Sequence, residues 1–158
     1  MRPVLLVLLS AMWMSACGPE PVTGPADVRW DRETCTRCAM SVGDNRFAAQ
    51  VREDAEPWRA FLFDDIGCAV AWLRQQQESA VSRFEIWVND HNSSQWIDAR
   101  SAWYVNGVPS PMGYNLAAGP ERVPGSVDFD TAIEHVMEVE STRKPHSGGH
   151  ADHLKVVE

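Results

Sequence analysis

The chain is short of positive charge. Fourteen Lys+Arg against 22 Asp+Glu leave a formal charge of −8 and a pI near 5.1, which excludes a protein that grips nucleic-acid phosphates by counterion release. No apolar run reaches the ~20 residues that span a bilayer; the longest, residues 4–14, is interrupted by Ser10. Cysteine is sparse, at 4 in 158 residues, too few for a disulfide scaffold. The length excludes a large multi-domain enzyme, and with 44% hydrophobic and 23% charged residues the composition is that of an ordinary globular protein.

The apolar segment follows Arg2 and ends in Met14-Ser15-Ala16-Cys17, the pattern of a secretory signal peptide with small residues before the cleavage point. Residues 1–16 are expected to be a leader, and the box resembles that of bacterial lipoproteins, which makes Cys17 the lipidated residue. Gly18 after it favours outer-membrane sorting over inner-membrane retention. Residues 17–27, with Gly18, Pro19, Pro21, Gly24 and Pro25, can neither continue a helix nor pair centrally in a sheet, and read as a tether. A folded core is expected over 28–140. Residues 141–158 read as a mobile polar tail carrying His146, His150 and His153, either incidental or a loose secondary metal site.

Within the core, Asp64-Asp65 caps a helix expected over 65–77, whose Ile66, Ala69, Val70 and Leu73 follow the i, i+3, i+4, i+7 spacing. Strands are expected at 46–52, 59–63 and 84–88, where aromatic and β-branched residues concentrate. A second pass is expected to open with strands at 95–99 and 103–105 and to end in a helix over 129–139. Met40 and Met112, Phe47 and Leu116, Phe63 and Phe129 stand 72, 69 and 66 residues apart, as a diverged duplication would place them. The expected fold class is therefore α+β, two related ββαβ units in one region, with approximate halves 28–92 and 93–140.

If Cys17 carries lipid, Cys35, Cys38 and Cys68 remain, an odd number for an oxidising compartment. Closed structural zinc needs four ligands, and no second pair matches Cys35-x-x-Cys38. A thioredoxin-like motif would open a helix, whereas Val42-Gly43-Asp44-Asn45 reads as a turn into a strand. Met40, two residues past Cys38, adds a thioether to two sulfurs, and soft sulfur donors select monovalent copper; a plain Cys35–Cys38 disulfide is the competing reading. Met112 lies in a Pro-Met-Gly turn, either as a loop anchor or as a second thioether donor. Cys68, two positions beyond Ile66, reads as packing opposite the apolar stripe. His91 and His135 read as structural. No nucleophile, base and orienting third group stand out, so catalysis is not indicated and the chain reads as a non-enzyme.

Five motifs occur in order: Cys35-x-x-Cys38-Ala39-Met40, Phe47-Ala48-Ala49-Gln50-Val51, Phe63-Asp64-Asp65-Ile66-Gly67-Cys68, Trp96-Ile97-Asp98-Ala99 and Pro111-Met112-Gly113. Together they resemble NosL, the nitrous oxide reductase accessory lipoproteins. The resemblance implies a periplasm-facing, lipid-anchored copper chaperone that binds Cu(I). It implies delivery for assembly of the copper–sulfide centre of nitrous oxide reductase, alongside a membrane transporter complex. It points to Cys38 or Cys35, and to Met112, as copper ligands, with Met40 as a further candidate. Ala39 departs from the family's usual glycine, which matters if this residue takes a positive φ. The alternative from another class is a thiol-redox lipoprotein cycling the Cys35/Cys38 pair.

Overall fold

Phe84, Ile86 and Val88 are buried while Glu85 and Trp87 between them are half-buried, the period-two alternation that makes a strand with one face on a core. The computed structural model describes residues 23–30, 32–53, 59–76 and 84–143. The leader over 1–16, the lipidation site Cys17 and the tail histidines His146, His150 and His153 lie outside the described residues.

Strand β1 (Ala49–Glu53) pairs antiparallel with β2 (Ala60–Phe63) and with β3 (Phe84–Asn89), placing Ala49 opposite Phe63 and Val88, and Val51 opposite Phe61 and Ile86. Strand β4 (Trp96–Asp98) adds to β3 with Ile97 opposite Val88, giving the order β2-β1-β3-β4. Helix α1 (Ile66–Gln76) crosses from β2 to β3 and buries Ile66, Ala69, Val70 and Leu73, the stripe that the spacing marks out. Asp65 caps it, its Oδ1 accepting the Cys68 backbone N–H at 3.0 Å, as a residue just before the first turn should.

The second part is a hairpin of β5 (Trp103–Asn106) and β6 (Leu116–Gly119), paired antiparallel, followed by α2 (Phe129–Thr142). Asp128 caps α2 by accepting the Thr131 N–H at 3.0 Å. Tyr104 exchanges 2.8 Å backbone hydrogen bonds with Val127 on the far side of β5. The two parts are joined because His91 N–H donates to Ala118 O at 2.8 Å, the buried Tyr104 hydroxyl donates to Ala99 O at 2.7 Å, and α2 packs on α1 and β5.

The α+β class is as expected, and the first unit is ββαβ. The second differs. Strand β4 extends the first sheet rather than opening another, and among the described residues the second unit is a ββα of β5, β6 and α2 with no strand after it. The additional strand, β6, reads Leu-Ala-Ala-Gly, which lacks β-branched residues; its conformation comes from pairing with β5, not from propensity.

Candidate metal centre

Cys35 and Cys38 sit in a tight turn before β1. Thr34 and Ser41 form an isolated antiparallel bridge, Cys35 N–H donates to Met40 O at 2.8 Å, and Ala39 N–H donates back to Cys35 O at 2.9 Å. Thr36 N–H donates to Leu62 O at 2.8 Å and pins the turn to β2. Ala39 closes it at φ 59°, the left-handed conformation that disfavours a Cβ.

Cys68 arrives from the other direction, as the third residue of α1. Its sulfur and those of Cys35 and Cys38 all lie within 4.8 Å of one another. Cys35 and Cys68 are 1% and 0% exposed, whereas Cys38 is half-buried. The reduced thiols differ in acidity for stated reasons. Cys68 donates its S–H to Cys35, and the backbone around Cys38, Asp64 and Arg37 also donates, which pulls the Cys35 thiol down to about 5 against opposing burial. Donating to Cys35 and burial push the Cys68 thiol up, and burial pushes Cys38 up. At neutral pH the apo cluster therefore holds a thiolate at Cys35 beside neutral neighbours. Burial, then the negative charge of Cys35, also lifts the Asp64 carboxyl to about 6.

Around the sulfurs lies a polar collar that ties the second unit to the first. The Asp65 Oδ2 atom accepts the Ser110 hydroxyl at 2.8 Å and the Met112 backbone N–H at 3.3 Å. One carboxylate thus holds the helical turn bearing Cys68 and the loop bearing Met112. Tyr114 is fully buried; its ring lies where a Cβ on Gly67 would sit, 2.1 Å from Cγ, so glycine is required for this approach. The Tyr114 hydroxyl donates to Glu140 Oε1 at 2.6 Å and accepts from Arg37 Nη1 at 2.6 Å, while Arg37 Nη2 meets Glu140 Oε2 at 2.5 Å. Arg143 stacks 4.1 Å from the Tyr114 ring centre, meets Glu140 Oε1 at 3.2 Å and donates to the Met112 carbonyl.

The NosL family model matches residues 28–120, a span that contains the cysteine cluster and the Met112 loop. The chain belongs to the NosL family. A solved structure described as the copper chaperone NosL from Shewanella denitrificans aligns with a TM-score of 0.51 at 18% identity, covering 73% of this chain and 88% of that one; at that identity the likeness speaks to the fold. No curated protein matches the chain.

For this NosL chain the structure brings Cys35 and Cys38 together. Met112 is partly buried against the core, on the loop that Asp65 holds. Met40 is 53% exposed, and its carbonyl rather than its side chain closes the turn on Cys35. The residue that sequence reasoning passed over is Cys68. Its position opposite the Ile66/Val70/Leu73 stripe reads as packing, and the thiol is buried, but its sulfur lies with those of Cys35 and Cys38. Every residue from Ile66 to Ala71 is buried. The available signal was Asp-Asp-Ile-Gly-Cys itself, which puts a thiol in the first helical turn beside a cap and a glycine. His135 is structural as expected: its Nε2–H donates to Tyr114 O at 2.9 Å.

Proposed function

We propose that this NosL-family protein carries one monovalent copper ion on Cys35, Cys38 and Cys68 and passes it on for assembly of the copper–sulfide centre of nitrous oxide reductase. The observation that carries this reading is the convergence of three cysteine sulfurs, from a turn and from a helix, within 4.8 Å. Thiolates are soft donors suited to Cu(I), and three of them leave a four-coordinate zinc site incomplete. Among the described residues no imidazole or carboxylate joins the group. Copper takes the place of the protons on Cys38 and Cys68 as it binds, and Met112, whose backbone N–H is held by the carboxylate that caps the Cys68 turn, is the thioether assigned to complete or relay the coordination. Met40, at the exposed edge, stands outside this resident set. The anchor expected at Cys17 places the site on the periplasmic side of the membrane, facing the reductase and its transporter complex.

The test is anaerobic titration of the reduced protein with Cu(I) against a chromogenic chelator. One equivalent is expected to bind tightly, with affinity lost in Cys68→Ser and weakened in Met112→Ala. A protein whose chemistry is Cys35–Cys38 disulfide exchange would ignore both substitutions and instead lose its redox response in either Cys35→Ser or Cys38→Ser.

A further inference from the structure

Exposure across the three cysteines and Met40 is graded, and the gradient has a direction. Cys68 and Cys35 are 0% and 1% exposed, Cys38 is half-buried, and Met40 is 53% exposed. The exposed end is not a frayed one. The Met40 carbonyl accepts the Cys35 N–H at 2.8 Å, and the next residue, Ser41, bridges to Thr34, so the backbone carrying the thioether is fixed beside the cluster. Among the described residues the large exposed apolar side chains are Met40, Val123 and Met137. Single exposed hydrophobic residues are ordinary; of these three, Met40 alone stands two residues from a cluster sulfur.

Resting on the copper-carrier reading above, we infer that copper leaves by the Cys38 edge and that Met40 is the exit donor, a residue that sets transfer rate rather than resting affinity. In associative exchange the acceptor's donor atom must reach the ion before a resident ligand departs. Cys35 and Cys68 are closed to an incoming group, so among the three cysteines the half-buried Cys38 is the one an acceptor can reach. Copper forms bonds to the acceptor's donor atom and, transiently, to the Met40 thioether as its bonds to the three cysteines break, the Met40 bond breaking last; no electron moves, copper stays monovalent, and the released Cys38 and Cys68 thiolates take their protons from water. A neutral thioether at that edge can hold the ion transiently without adding negative charge against an anionic acceptor.

The experiment uses the full chain loaded anaerobically with one equivalent of Cu(I). Transfer to bicinchoninate is followed by stopped flow, and affinity is measured by equilibrium competition on the same samples. Met40→Ala is expected to slow transfer several-fold while leaving the dissociation constant within about twofold, and Met137→Ala, the exposed methionine on α2, is expected to change neither. A Met40→Ala rate equal to that of the parent overturns the inference, as does a loss of affinity matching the loss of rate, which would make Met40 a resident ligand. If the parent chain itself takes up no Cu(I), the carrier reading fails and the exit path with it, an outcome separate from the other two.

Discussion

Replacing Gly67 by alanine sets two effects of opposite sign against each other. In an exposed helix the change is favourable by about 0.5–1 kcal/mol, because glycine loses more backbone entropy on folding. Here the added methyl would stand 2.1, 2.2 and 2.5 Å from three carbons of the Tyr114 ring. The ring has nowhere to go: it is fully buried, its hydroxyl is held by Glu140 and Arg37 at 2.6 Å each, and Arg143 covers its face at 4.1 Å. Overpacking costs roughly 1–3 kcal/mol, and loosening hydrogen bonds to charged partners adds about 1.5–3 kcal/mol. The net expectation for Gly67→Ala is a loss of about 2–4 kcal/mol. With a urea slope of roughly 1–3 kcal/mol/M for a small domain, that moves the unfolding midpoint down by roughly 1–2 M. Tyrosine near-ultraviolet circular dichroism should fall in parallel, because the same ring is displaced. An unchanged or higher midpoint would refute the packing of α1 against the Met112–Tyr114 loop, and with it the way the second unit is fastened to the sulfur cluster.

Other consequences are equally direct. Ala39→Gly should raise stability by about 0.5–1 kcal/mol in thermal or urea unfolding, since relief of a φ of 59° is worth about 1–2 kcal/mol and the unfolded-state entropy of glycine takes back about half; a destabilised variant would contradict the turn geometry. Asp64, lifted to about 6 from an ordinary 3.8, binds more protons folded than unfolded between those values, so its contribution to stability shrinks as pH rises from about 4 to 6. Asp64→Asn should remove that slope in apo-protein unfolding curves, and an identical slope in the variant would refute the assignment. The reduced apo protein at pH 7 should show thiolate absorbance near 240 nm that fades as pH falls through about 5 and is absent in Cys35→Ser; full absorbance in that variant would place the thiolate elsewhere.

Much of the fold was legible in the sequence because its elements obey local rules. The α1 stripe and the aromatic and β-branched residues of β3 mark their own type, and Asp65, one of the Asp64-Asp65 capping pair, caps α1. Strand β6 was not legible, because Leu-Ala-Ala-Gly is a strand only when paired with β5. The allegiance of β4 was equally hidden: its residues read as a strand, but only the register of Ile97 on Val88 assigns it to the first sheet. At the site, Cys35 and Cys38 are visible as a spacing, and Ala39 as a departure whose consequence follows from its positive φ. Cys68 depended on which faces of α1 are covered, and the collar of Asp65, Tyr114, Arg37 and Glu140 depended on contacts between residues as far apart as 37 and 140. No periodicity encodes those contacts. Both omissions are tertiary in origin, and both surround the sulfur cluster.

Copper-edge X-ray absorption of the loaded protein and its Cys68→Ser variant reports whether three cysteine sulfurs close on a single cuprous ion. The expected result is a sulfur-only first shell with at least three scatterers at one copper per chain, falling to fewer sulfurs in the variant. A first shell dominated by nitrogen or oxygen, or one that Cys68→Ser leaves unchanged, would contradict it.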